Sequence, residues 1–173
     1  RKPLVLFQIV EYLRAFLYGR MGWSPMNAHL IISGAFGIYH KETVVAVGGY
    51  RSDTMGEDME LIVRLHRMLS EQRKRYRIAF VPEPICWAEV PDNLKQLKKQ
   101  RIRWQIGLVE SLMMNRGLLF HDSGTFAGWL AFPFVLFFEW FGPFIETLGY
   151  IIIITGFVVG FISIQAFVTF LIL

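Results

Sequence analysis

The sequence predicts a water-facing domain of mixed helices and strands, followed by a tail embedded in a membrane. Three observations carry this. All eighteen Lys and Arg lie between Arg1 and Arg116, and from Gly117 to Leu173 the only acids are Asp122, Glu139 and Glu146. The chain is 54% hydrophobic and 18% charged, where an ordinary soluble domain carries about 25% charged residues. After Asp122-Ser123-Gly124 the chain is almost continuously apolar. The domains therefore divide as 1–121, water-facing and basic, and 122–173, transmembrane.

The first elements follow from spacing. Leu4 to Tyr18 is an apolar run interrupted by Glu11 and Arg14, which predicts an amphipathic helix and not a span. Gly22 to Asn27 is a turn-rich break. Leu30 to Tyr39 is apolar with small residues and predicts a buried strand leading into a close-packed loop. His40 to Ala46 predicts a short helix ended by Gly48-Gly49. Glu57 to Leu69 has helical spacing, with Met59, Leu61, Ile62, Leu65, Met68 and Leu69 on a broad face. Tyr76 to Val81 reads as a short strand stopped by Pro82 and Pro84, and Leu94 to Met114 as a second long helix, basic in its first half.

One membrane span needs about 20 residues, so the apolar tail has room for two. With Gly142-Pro143 as the break, the spans fall at about 125–141 and 148–171. The cluster Lys95, Lys98, Lys99, Arg101, Arg103 and Arg116 immediately precedes them. Excess Lys and Arg beside a span marks the cytoplasmic side, so the basic domain is expected in the cytosol and Leu173 on the same side. The single cysteine, Cys86, cannot form an internal disulfide, which suits a reducing compartment. Arg1-Lys2-Pro3, with no initiator Met and no leader, reads as the middle of a longer protein.

Three clusters have residue types suited to chemistry. In Gly56-Glu57-Asp58, carboxylates stand at a helix start, where unpaired N–H groups and the helix dipole favour the charged form. An ionised carboxylate there can accept a proton from a hydroxyl; taken alone, acids at that position are more often caps. In Gln100-Arg101-Ile102-Arg103-Trp104, Gln100, Arg103 and Trp104 share a helix face. A guanidinium fork matches the paired oxygens of a diphosphate, and an indole can cover the flat face of a sugar. The same residues would equally serve a juxtamembrane helix touching lipid. In Ser33-Gly34-Ala35-Phe36-Gly37, small residues allow close backbone approach to a ligand or to a neighbouring element.

In this order, Ser33-Gly34-Ala35-Phe36-Gly37, Val47-Gly48-Gly49-Tyr50, Gly56-Glu57-Asp58 and Gln100-Arg101-Ile102-Arg103-Trp104, followed by spans, resemble the processive, membrane-bound family 2 glycosyltransferases. That group includes synthases of cellulose, hyaluronan, chitin and poly-N-acetylglucosamine. The resemblance implies an α/β fold: the later part of a GT-A-type nucleotide-sugar-binding domain, then two transmembrane helices. It implies an inverting transfer from a nucleotide sugar, UDP-GlcNAc or UDP-Glc, to a growing polysaccharide or other acceptor. Asp58 would be the general base. Glu57, Gln100, Arg103, Trp104, Ser33 and Gly34 would bind substrate.

The family's divalent metal, Mg or Mn, and its uridine contacts are expected upstream, with no metal ligand in this chain. The chain alone is therefore expected to be inactive. At Glu60 many relatives have Asp, and the resemblance gives this residue no role. Expected partners are the donor, a glycan or lipid-linked acceptor and membrane lipids, with no nucleic acid. The expected location is the cell membrane, multi-pass, with the catalytic part cytosolic. Two other readings share these features: transfer of a single sugar to a lipid carrier, and a non-catalytic membrane protein with a basic lipid-binding helix.

Overall fold

The structure, a computed structural model, describes residues 3–83 and 85–172. It forms two compact units, Arg1–Val135 and Leu136–Leu173.

The first unit opens with a helical run. It comprises α1 (Pro3–Tyr12), a wider π-helical stretch at Leu13–Tyr18, and α2 (Gly19–Trp23). Tyr12 and Tyr18 keep right-handed helical dihedrals, so the run turns without a break. The short α3 (Lys41–Ala46) ends at Gly48 and Gly49, whose positive φ values of 93° and 68° suit residues without a Cβ.

At the centre lies α4 (Glu57–Glu71), with Glu57, Asp58 and Glu60 in its first turn, where the helix dipole favours acids. Its burial goes further than the expected apolar face. Every residue from Met59 to His66 is buried, Glu60, Arg64 and His66 included. A helix buried all round must satisfy its polar side chains internally. Glu60 and Arg64 pair at 3.0 Å, one turn apart, and Asn115 Nδ2 donates to Glu60 Oε1 at 3.2 Å. Arg64 also donates to the carbonyls of Val47 and Gly49. His66 places its two ring nitrogens 2.7 Å from the Tyr76 hydroxyl and 3.2 Å from the His29 carbonyl. Burial pushes the His66 and His29 pKa values down to about 4, so both rings are neutral at physiological pH.

The basic helix α5 spans Leu94–Met114, the bounds its spacing predicts. The Asn93 side chain caps it by accepting from the Gln96 N–H at 2.9 Å. Gly107, Leu108, Ser111 and Leu112 form its buried stripe. There α5 meets the start of α4 at a glycine-to-glycine contact. A Cβ added to Gly107 would lie 2.7 Å from the Gly56 Cα, and one added to Gly56 would lie 2.8 Å from the Gly107 Cα. The obstacle is backbone and cannot rotate away. Gly107→Ala is therefore expected to destabilise the unit by about 1–3 kcal/mol, read as a fall in the thermal unfolding midpoint. A wild-type midpoint would mean the two helices are free to separate.

The expected strands are not present as strands among the described residues. Tyr76–Val81 has no regular secondary structure, though its side chains alternate between half-buried and exposed as a strand's would. A strand also needs a backbone ladder to a neighbour, and here side chains take that place. Asn27 Nδ2 donates to the Tyr76 carbonyl at 3.0 Å, Asn27 Oδ1 accepts from the Ile78 N–H at 2.8 Å, and Ser24 Oγ accepts from the Phe80 N–H at 2.9 Å. In residues 30–39, read as the other strand, only Leu30 is buried, after buried Ala28 and His29, and the chain turns at Gly34-Ala35. Pro84, one of the two expected strand stops, lies outside the described residues.

The apolar tail also departs from expectation. After π-helical Ala127–Ala131 come α6 (Phe132–Phe134), π-helical Val135–Trp140 and α7 (Gly142–Val158). Ala127–Val158 is one stretch long and apolar enough to cross a membrane. Pro143 does not break it. Proline in the first turn of a helix loses no intrahelical bond, and Pro143 stands in the first turn of α7. The break falls instead just after Val158, with Gly160 at φ 84°. In the second unit α8 (Ile164–Ile172) returns along α7, with Phe157 stacked on Phe167 at 4.4 Å and Tyr150 edge-on to Phe170 at 5.4 Å. Nine residues of α8 fall short of a span. Leu173, expected in the cytosol, lies outside the described residues.

Candidate active site

Asp58 stands in the first turn of α4, half-buried, with one carboxylate oxygen accepting from the Met59 N–H at 2.8 Å. The other faces the Ser33-Gly34-Ala35 turn. A Cβ on Gly34 would come within 2.8 Å of Asp58 Oδ2, so the backbone at Gly34 lies flush against the carboxylate. Two sequence clusters far apart in the chain thus meet at one group. Ser33 and Gly34 remain exposed beside it, as does Glu57.

Two residues that sequence reasoning missed complete the surroundings of Asp58. Burial pulls the Arg20 guanidinium down to about 10, and the negative charge of Asp58 opposes that fall. The Tyr39 hydroxyl is pushed well above its ordinary value, first by burial, then by its bond to Tyr50, with Asp58 adding to it. Tyr39 therefore stays a neutral phenol. The only available signal for Arg20 was a cation at the end of an apolar helical run. Tyr39 carried no signal at all.

The basic helix is tied to the same corner. Glu110 on α5 accepts from the Thr54 hydroxyl and the Met55 N–H, both at 2.8 Å, and Thr54 Oγ1 in turn accepts from the Gly56 N–H at 3.2 Å. Together with the Gly56–Gly107 contact, this fixes where α5 runs past the Asp58 turn.

Earlier on α5, Trp104 is caged by aromatic and cationic groups. Phe16 meets it edge-on at 5.8 Å, Tyr12 lies at 6.3 Å, and the Arg101 guanidinium lies 4.9 Å from its ring. Arg101 is held by a bidentate pair with Glu11, at 2.6 and 2.5 Å. Tyr12 donates to Gln100 Oε1 at 3.4 Å. Arg20 lies 4.5 Å over the Phe16 ring, so Arg20, Phe16 and Trp104 form one line of neighbours.

The face expected to carry Gln100, Arg103 and Trp104 is thus divided. Gln100 and Trp104 lean on α1 and the π-helical stretch, while Arg103 is exposed at the flank. Among the described residues no group of three or more His, Cys, Asp or Glu could hold a metal ion. The described residues do not fit a metal site.

A family model described as "Glycosyl transferase family group 2" matches residues 5–173. The chain belongs to that family. Within it, poly-beta-1,6-N-acetyl-D-glucosamine synthase of Staphylococcus aureus (strain COL) is 37% identical over 108 residues. The synthase of the same name from Staphylococcus epidermidis (strain ATCC 35984) is 31% identical over 106 residues. Each alignment covers 61% of this chain and 24% of the relative. The chain of this group 2 glycosyl transferase therefore spans about a quarter of the length of the curated relatives it matches. No solved structure matches it.

Proposed function

We propose that this chain is part of a membrane-bound, inverting glycosyltransferase that builds a polysaccharide from a nucleotide sugar. It would supply the later part of a GT-A-type nucleotide-sugar-binding domain and the membrane segments that follow it. The supporting observation is the Asp58 carboxylate, standing in the first turn of α4 and lying flush against the Gly34 turn.

In the proposed reaction an acceptor hydroxyl attacks the anomeric carbon of the donor from the face opposite the diphosphate. The new C–O bond forms as the bond to the diphosphate breaks, and the leaving electron pair goes with the nucleotide. Asp58 takes the hydroxyl proton. Arg103, exposed and free to swing, pairs with the diphosphate as its charge grows. Trp104, rigid in its cage, presents a ring to the acceptor sugar. Gln100 and Glu57 contact substrate from either side, and the Ser33-Gly34 turn admits it close to the backbone.

The donor is UDP-linked, GlcNAc in keeping with the relatives' names or Glc, and the acceptor is the growing glycan. A divalent metal, Mg or Mn, serves the whole enzyme and is held by residues outside this chain. The catalytic part faces the cytosol of a multi-pass cell-membrane protein. Ala127–Val158 is one pass, and α8 begins another.

The test is UDP affinity and polymer formation, compared in one detergent and salt. Arg103→Ala should weaken UDP binding by about 1.5–3 kcal/mol, and Arg103→Lys should recover little, since a point charge cannot reproduce the fork. Trp104→Ala should leave UDP affinity unchanged and impair transfer. Equal UDP affinity in wild type and Arg103→Ala would remove this helix from the donor site and favour a lipid-binding role.

A further inference from the structure

Away from Asp58, a polar cleft of about 280 Å³ lies between the end of α4 and the loop that leads into the apolar helical stretch. Ser70, Arg73 and Lys74 line it from the α4 side, and Ser123 and Thr125 from the loop side. We propose that this cleft binds a phosphate group, and that the headgroup of an anionic membrane lipid supplies it. The second half of this proposal rests on reading Ala127–Val158 as a membrane span.

Three features point to a phosphate. Two cations and several hydroxyls converge on the cleft, the donor set a phosphate takes. The buried Thr125 Oγ1 lines it and has no hydrogen-bond partner, which is rare for a buried hydroxyl. Arg73 stands at φ 50° just past the end of α4, a left-handed position that glycine fills without strain. An arginine there points to a use for its side chain. Asp122 also lines the cleft and opposes an anion; it lies 3.4 Å from Arg73 in an exposed pair that a phosphate would have to displace.

The setting points to a lipid. Thr125 stands two residues before the apolar stretch begins at Ala127. Phe120, Phe126 and Trp129 are exposed around it, and the Trp129 indole N–H donates to the His121 carbonyl at 2.8 Å. Exposed aromatics at the end of a span lie at headgroup level, and basic pockets there take anionic headgroups.

The experiment measures the thermal unfolding midpoint of the whole protein in neutral detergent. The probes are dioctanoyl phosphatidylglycerol, inorganic phosphate and phosphate-free dioctanoylglycerol. A ligand that binds the native state raises the midpoint with concentration. Phosphatidylglycerol should stabilise the wild type and dioctanoylglycerol should not. The double variant Arg73→Gln, Lys74→Gln should bind about ten- to a hundredfold more weakly. Ser123→Ala, which keeps both charges, should bind about two- to tenfold more weakly and serves if the double variant does not fold.

Stabilisation by phosphatidylglycerol, with or without inorganic phosphate, supports the lipid headgroup. Stabilisation by inorganic phosphate alone keeps the phosphate site and overturns the lipid source. No stabilisation by either, or equal stabilisation of wild type and variants, overturns the site. Release of the protein from membranes by alkaline wash would instead sink the membrane reading without touching phosphate binding.

Discussion

Asp58→Asn in the whole enzyme is expected to lower sugar transfer about 10²–10⁴-fold, the usual contribution of a positioned general base. Donor affinity should be unchanged. The amide is nearly isosteric with the carboxylate, so the Gly34 turn that lies against Asp58 Oδ2 can stay where it is. What the amide cannot do is take the proton. Initial rates of transfer and UDP affinity, measured on the same preparation, separate these effects. Near-normal transfer would reduce Asp58 to a helix cap. Lost donor binding together with lost transfer would mean that the carboxylate holds the site's shape rather than performing its chemistry.

Glu60→Ala should produce the largest loss of stability. Glu60 is 1% exposed and Arg64 is 7% exposed, so truncating the acid leaves a buried guanidinium without its counter-charge. Breaking a buried pair in this way costs about 3–5 kcal/mol, a large share of a domain's net stability. The Asn115 amide would lose its bond to Glu60 Oε1 as well. The carbonyls of Val47 and Gly49 still receive Arg64, so some of the charge remains solvated by the protein. Exchanging both members for apolar residues should restore much of the loss, because the pair itself contributes little net stability. Thermal unfolding of Glu60→Ala and of Glu60→Leu with Arg64→Met tests both statements. A wild-type midpoint for Glu60→Ala would mean that water or another acid takes over.

How much of this was legible in the sequence depended on whether local or distant groups decide each feature. The bounds of α5 were legible because a capping residue, a helical period and a glycine-free interior up to Gly107 all act within the helix. The start of α4 was legible from its acids. The burial of Glu60, Arg64 and His66 was not, since it depends on Asn115, Tyr76 and His29 from elsewhere in the chain.

Tyr76–Val81 was read as a short strand. Its classification as a strand failed because pairing is a property of the neighbour, and here that neighbour is the side chains of Asn27 and Ser24. In the tail, Gly142-Pro143 looked like a break, but proline at a helix start is compatible with helix, and the turn formed at Gly160 instead. For the site, the motifs nominated Asp58 and the Trp104 helix as candidates. Spacing along the chain could not show that Gly34 lies against Asp58, or that Arg20 stacks on Phe16 beside Trp104.

The most direct measurement is nucleotide release by the purified whole enzyme in membranes or detergent, offered UDP-GlcNAc and UDP-Glc in turn with Mg or Mn. Release of UDP from one of these donors, in step with the glycosidic bonds formed and lost in Asp58→Asn, is the expected result. No consumption of either nucleotide sugar by a folded, membrane-inserted preparation, or consumption that Asp58→Asn leaves intact, would contradict it.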